Sequence, residues 1–124
     1  MFNNLNVVIG IAGGIAAYKS CGIVSFLKSQ GANVDVIMTK NACEFITPLT
    51  LETLSGNKVI VDMFDRPDHM DVKHISLAKK ADLFLVVPAT ANIIGKVANG
   101  IADDMLSTTI MATKAPVVFA PPMN

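Results

Sequence analysis

Val7-Val8-Ile9-Gly10-Ile11-Ala12-Gly13-Gly14-Ile15-Ala16-Ala17-Tyr18-Lys19 is the stretch that decides the fold. Its first five residues form a short apolar run rich in β-branched side chains, the pattern of a strand buried on both faces. From Ile15 to Gln30, the residues Ile15, Tyr18, Ile23, Phe26 and Leu27 follow a roughly helical stripe, and Gly31 closes it. The glycines between strand and helix allow a tight turn and close backbone approach, and free N–H groups at a helix start suit an anion. A strand, a glycine-rich turn and a helix in that order predict a site for a phosphate-bearing ligand. Glycines that serve only the turn remain the alternative.

Working outward, Val34 to Met38 reads as a second strand ending at Thr39, and Phe45 to Leu54 as a helix closed by Ser55-Gly56. Val59 to Val61 makes a short third strand, Asp65 to Lys73 an exposed loop around Arg66-Pro67-Asp68, and Ile75 to Lys80 a short helix. Leu83 to Val87 is the least ambiguous buried strand, stopped by Pro88. Helices over Asn92 to Asn99 and Asp104 to Thr113 precede a last buried strand, Val117 to Ala120, ended by Pro121-Pro122. Strands alternating with helices predict an α/β fold: one domain over residues 1–124 with a three-layer open parallel sheet, Rossmann/flavodoxin-like. In such sheets ligands bind at the carboxyl ends of the strands. The segments beginning at Gly13, Thr39, Pro88 and Pro121 therefore matter most.

Composition narrows the ligand. Of 124 residues 52% are apolar and only 16% charged, more hydrophobic surface than a small monomer usually hides, so self-association is expected. Ten Lys plus Arg balance ten Asp plus Glu without a basic cluster, which argues against nucleic acid and for a small molecule. Cys21 and Cys43 are far apart, and the N-terminus lacks a basic region before its apolar run, so a reducing cytoplasmic setting is expected. The apolar stretch from Val7 to Tyr18 is shorter than the about 20 residues a membrane-spanning helix needs.

Several residues stand out chemically. The turn departs from G-x-G-x-x-G, and Met38-Thr39-Lys40 offers no acid for a ribose diol, which disfavours a dinucleotide and a nicotinamide dehydrogenase. The Thr39 hydroxyl suits a phosphate oxygen. Thr90 and Asn92, after the most hydrophobic strand, can bond phosphate or ring heteroatoms, or simply cap a helix. His74, near a helix start, tends to stay neutral and can act as a base, although a lone histidine is more often structural. His69 reads as solvated. Asn124 presents an amide at the sheet's ligand edge, while Met123 reads as packing. Asp103-Asp104 suggests metal or acid–base work, but adjacent acids before a helix are more often a cap, and no metal site is expected. Met105, Leu106, Ile110 and Met111 form a wide apolar face, core or subunit interface.

Taken together, Gly13-Gly14-Ile15-Ala16-Ala17-Tyr18-Lys19, Met38-Thr39-Lys40-Asn41-Ala42, His74-Ile75-Ser76-Leu77-Ala78, Pro88-Ala89-Thr90-Ala91-Asn92 and Pro122-Met123-Asn124 resemble the homo-oligomeric flavin-containing cysteine decarboxylases. Among these the chain looks most like the phosphopantothenoylcysteine decarboxylase domain of the bifunctional coenzyme A biosynthesis flavoprotein. The resemblance implies FMN at the interfaces of a trimer or a multiple of trimers, held by residues matching Gly14, Ile15, Ala16, Thr39, Thr90, Ala91 and Asn92. It also implies a reaction. Flavin oxidises the cysteinyl thiol of 4′-phosphopantothenoylcysteine to a thioaldehyde, carbon dioxide leaves β to the thiocarbonyl, and the enethiol is reduced by the flavin to 4′-phosphopantetheine. His74 matches the active-site histidine and Asn124 the asparagine that holds the substrate carboxylate.

In the family the Pro-x-Met-Asn signature continues, and a later flap carries a cysteine for the final reduction; neither Cys21 nor Cys43 matches it. The implied reading is a flavoprotein domain truncated at its carboxyl end, for which full turnover is not expected. Two alternatives stand beside it. One is a related flavoprotein acting on a peptide C-terminal cysteine or prenylating flavin, against which the Ile75-Ser76-Leu77-Ala78 run weighs. The other is a non-catalytic, regulatory flavin-binding subunit, against which His74 weighs.

Overall fold

The computed structural model describes residues 1–61 and 75–121. Five parallel strands, β1 (Asn6–Ile11), β2 (Asn33–Met38), β3 (Ile60–Val61), β4 (Leu83–Val86) and β5 (Val117–Phe119), form one sheet in the order β3-β2-β1-β4-β5. Between them run α1 (Lys19–Ser29), α2 (Pro48–Ser55), α3 (residues 75–80), α4 (Ala91–Ala98) and α5 (Met105–Ala112). This is the doubly wound α/β architecture the alternation of strands and helices predicts. The order reverses between β1 and β4, which opens the crevice in which such sheets bind ligands.

The sheet is built outward from β1. Side chains alternate across a strand with period two, so Val7, Ile9 and Ile11 pack with Val24 and Leu27 of α1 and Leu51 of α2. Val8 faces the other way, into a cluster with Phe84, Ile93, Leu106 and Ile110. Val7, Val8, Ile9 and Ile11 are all fully buried, each worth roughly 1.5–3 kcal/mol relative to exposure. Two apolar faces on one strand require helices on both sides, which fixes the three layers.

Gly10 has a specific task. A Cβ there would collide with Cδ1 of Leu106, so its absence lets α5 settle directly on β1. Leu106 is itself wholly buried and has little room to retreat.

Three local expectations shift. The helix read from Phe45 starts only at Pro48, because Thr47 caps it by accepting the Thr50 N–H at 3.4 Å and Pro48 sits at the first helical position. A 3₁₀ turn over Asn41–Glu44 comes first. The helix read from Ile15 likewise begins as a 3₁₀ turn, Ile15–Tyr18, before α1. The strand at Val117, read as buried, lies at the sheet edge with Val118 half exposed, since among the described residues only β4 pairs with it. The loop read over Asp65 to Lys73 lies outside the described residues.

The Leu106 contact makes a pair of glycine substitutions informative. Gly10→Ala is expected to lower stability by about 1–3 kcal/mol through overpacking. Gly22→Ala, at an exposed position of α1 with nothing near its Cβ, should raise it by roughly 0.5–1 kcal/mol. Urea unfolding of the two variants checks the opposite signs.

Candidate functional site

The ladder does not stop at the strand ends. Thr39 N–H donates to the Ile11 carbonyl at 3.0 Å, Val87 N–H to Gly10 at 2.9 Å, and Ala12 N–H to Pro88 at 3.3 Å. The loops after β1, β2 and β4 are thereby drawn side by side, and a cleft of about 290 Å³ opens among them. Its walls come from Ala12 and Gly13 after β1, Thr39, Lys40 and Asn41 after β2, and Thr90, Asn92, Ile93 and Lys96 on or capping α4. Asp104, at the head of α5, completes it.

Each wall has a local cause. Gly13 lets the Asn41 side chain lie against the backbone where any Cβ would strike it. Gly14 has φ 145° and ψ 161°, a conformation open essentially to glycine alone, and it turns the chain into the 3₁₀ segment. No side chain caps that segment, and the Gly14, Ile15 and Ala16 N–H groups meet no acceptor among the described residues. Thr39 Oγ1 accepts the Ala42 N–H at 3.1 Å, and Thr90 Oγ1 accepts the Ile93 N–H at 3.3 Å. Each hydroxyl is thus oriented by a backbone donor and keeps its own proton for a ligand. Thr90 is both the cap of α4 and a cleft residue, so the two readings of it hold together.

The acidic pair resolves as a cap joined to an ion pair. Asp104 Oδ1 accepts the Ser107 N–H at 2.7 Å, and Ser107 Oγ accepts the Asp104 N–H at 3.2 Å, a reciprocal capping box. Lys96 Nζ lies 3.1 Å from Asp104 Oδ2 and 3.0 Å from Asp103 Oδ1. Burial pushes the Asp104 carboxyl up, but the hydrogen bonds from Ser107 and from Lys96 outweigh it and hold the group below its ordinary value. The Asp103 hydrogen bond raises the Lys96 value against burial, with Asp104 adding to the rise. Cys21 and Cys43 are half-buried and lie outside the cleft, and burial pushes the Cys21 thiol up.

Of the residues singled out in sequence, Thr39, Thr90 and Asn92 converge on the cleft. Gly14, Ile15 and Ala16 follow Gly13 at its rim, and Ala91 is exposed between Thr90 and Asn92. His74 and Asn124 lie outside the described residues. Lys40, Asn41, Lys96 and Asp104 were not singled out as ligand-facing residues. Lys40 and Asn41 carried a signal, since both directly follow Thr39. The approach of Lys96 to Asp104 depends on how the chain reverses between α4 and α5, which no spacing rule reveals.

An open parallel sheet with a hydroxyl-lined, glycine-walled cleft at its switch point defines an α/β ligand-binding protein. The chain is a member of the flavoprotein family, which matches residues 1–124. Across all of its length it is 54% identical to the coenzyme A biosynthesis bifunctional protein CoaBC of Bacillus subtilis and 57% identical to that of Borreliella burgdorferi. It spans 30% and 32% of those two proteins. Among solved structures, the FMN-dependent cysteine decarboxylase SpaF superposes with a TM-score of 0.87 at 30% identity, over 100% of this chain and 71% of that one. A PPC decarboxylase C175S mutant complexed with pantothenoylaminoethenethiol gives 0.75 at 28%, over 98% and 69%.

A flavin is the family's cofactor, and the described residues fit one. The unaccepted N–H groups of Gly14 to Ala16, the Thr39 and Thr90 hydroxyl protons and Lys40 suit an anionic group, while Asn92 and Ile93 offer an amide and an apolar wall that suit a ring. No helix of the described residues is long and apolar enough to cross a membrane.

The depressed Asp104 group ties stability to pH. Its folded value lies below its unfolded one, so its contribution is present above the unfolded value of 3.8 and is lost as pH falls through the folded value. Thermal unfolding from pH 6 to pH 2 is expected to show a smaller acid loss in Asp104→Asn than in the wild type, from a lower starting stability at pH 6.

Proposed function

We propose that the chain is the FMN-binding decarboxylase part of a coenzyme A biosynthesis protein, acting in the cytoplasm on 4′-phosphopantothenoylcysteine to give 4′-phosphopantetheine. The observation that carries this reading is the convergence of Gly13, Thr39, Thr90 and Asn92 on one cleft, in a chain 54–57% identical to CoaBC proteins. The PPC decarboxylase neighbour, complexed with pantothenoylaminoethenethiol, supports the substrate class.

FMN bound there would supply two-electron redox chemistry for oxidising the cysteinyl thiol and for reducing the enethiol that decarboxylation leaves. The chain's own residues bind and orient. Thr39, Thr90 and the rim N–H groups anchor the phosphate, and Asn92 with Ile93 positions the ring. His74 accepts a proton in the oxidation phase, and Asn124 holds the substrate carboxylate.

We further propose a homo-oligomer, a trimer or a multiple of trimers. Ile15, Tyr18, Phe45 and Leu49 are all large, apolar and exposed, with Ile15 at 82%, and they lie in the segments that follow the two phosphate-side loops. Apolar surface around a ligand site is what a subunit interface covers.

A second reading, with a peptide C-terminal cysteine as substrate, is favoured by the 26% identity to the peptidyl-cysteine decarboxylase EpiD, which superposes with a TM-score of 0.80. Parallel assays with phosphopantothenoylcysteine and a cysteine-ended peptide should show thiol oxidation of the former at least about tenfold faster; the reverse order would transfer the function to the peptide.

Two further outcomes test the main reading. The purified chain should bind added FMN stoichiometrically, read from its visible absorbance, and Thr39→Val should weaken that binding by roughly tenfold through loss of one charge-assisted hydrogen bond. His74→Asn should retain FMN and abolish thioaldehyde formation in single turnover; unchanged oxidation would remove His74 from the chemistry.

A further inference from the structure

Lys96 is the feature of the cleft that cofactor binding and chemistry leave unused. Its Nζ bridges Asp103 and Asp104 at 3.0 and 3.1 Å, and its side chain is only 20% exposed. Asp104 is more enclosed still, at 11%, and lines the cleft together with Thr39 and Thr90. One of its carboxylate oxygens is committed to the Ser107 N–H and hydroxyl. The other faces Lys96, which is the one cation among the described residues within ion-pair distance of it. Asp103 lies outside the cleft and is 57% exposed, so solvent screens its charge.

A buried carboxylate in the wall of an anion-binding cleft repels its ligand unless the charge is cancelled locally. The capping box, meanwhile, keeps Asp104 in place and ionised. We propose that Lys96 is a positioning residue for the phosphate end of the cofactor: it cancels the Asp104 charge on the cleft wall and ties α4, with Thr90 and Asn92, to the head of α5, without touching the ligand. This rests on the flavin reading above. The bridge explains why a lysine inside a phosphate cleft points at two acids rather than into the opening, and why the cleft tolerates an acid at all.

Dissociation constants for FMN and for riboflavin, which lacks the phosphate, separate the possibilities when measured by flavin fluorescence on the wild type and three variants. Lys96→Met should weaken FMN by about tenfold and riboflavin by less than about twofold, because only the phosphate carries the charge that Asp104 repels. The double variant Lys96→Met with Asp104→Asn should return FMN binding to within about threefold of wild type, since asparagine still caps the helix and no buried charge is left. Asp104→Asn alone should hold FMN at least as tightly as wild type, and this arm reads the same electrostatics should Lys96→Met fail to fold.

Equal losses for both flavins in Lys96→Met would make the lysine merely structural and overturn the proposal. A double variant as weak as Lys96→Met would mean that the lysine itself holds the ligand, which also overturns it, as would weaker FMN binding by Asp104→Asn. A wild type that binds neither flavin removes the flavin reading and this proposal together, whereas wild-type binding with any of the failures above removes this proposal alone.

Discussion

The site depends on the pairing of β1 with neighbours on both sides. Its register with β2 runs from Asn6 opposite Asn33 to Ile11 opposite Met38, and with β4 from Val7 opposite Leu83 to Gly10 opposite Val86. Parallel pairing places all three carboxyl ends at one edge, and the Thr39 to Ile11 and Ala12 to Pro88 hydrogen bonds extend the ladder into the loops. Backbone hydrogen bonds buried among apolar side chains are costly to leave unmade, so the loops inherit the rigidity of the sheet. A cofactor cleft formed this way needs little ordering when its ligand arrives, which favours affinity.

Preorganisation of the backbone does not by itself make the cleft electrostatically suitable. Burying Asp104 beside it carries a desolvation cost, offset by the capping box and by Lys96. The same carboxylate accepts the Ser107 N–H in the first turn of α5, whose Leu106 lies in the space that Gly10 leaves open on β1. Sheet, helix and cleft wall therefore meet in one short region.

How much was legible in the sequence follows from the range of each interaction. Strand–helix alternation and the β-branched runs at Val7 and Leu83 are local patterns, and they predict the sheet and its ligand edge. The placement of Thr39 and Thr90 at the cleft was legible because Thr39 directly follows β2 and Thr90 caps α4 in the short loop after β4, both at the carboxyl edge of the sheet. The start of α2 was misplaced because the apolar run beginning at Phe45 outweighed the cap and proline at Thr47-Pro48, which set the helix boundary. Lys96 was missed because its partners are reached across a chain reversal. The last strand was read as buried on apolar content alone, a signal that does not say whether a neighbouring strand will be present.

That half-open edge and the exposed apolar residues around Ile15 bear on the same point. Val118 at 48% exposure and Ile15 at 82% lie in different places, one on the outermost strand and one at the rim of the cleft. Water-exposed apolar surface costs solubility without adding to the core, and in the proposed assembly the two places would be covered separately. Cover at the rim would enclose the outward side of a flavin ring and raise the strength of each polar contact to the phosphate by excluding water. Cover at the β5 edge lies beyond β4, away from the β1–β2 side of the cleft, and would reach the site only through the β4–β5 ladder. In the proposed assembly, contacts at the rim would therefore complete the flavin site, while contacts at the β5 edge would add to the stability of the sheet.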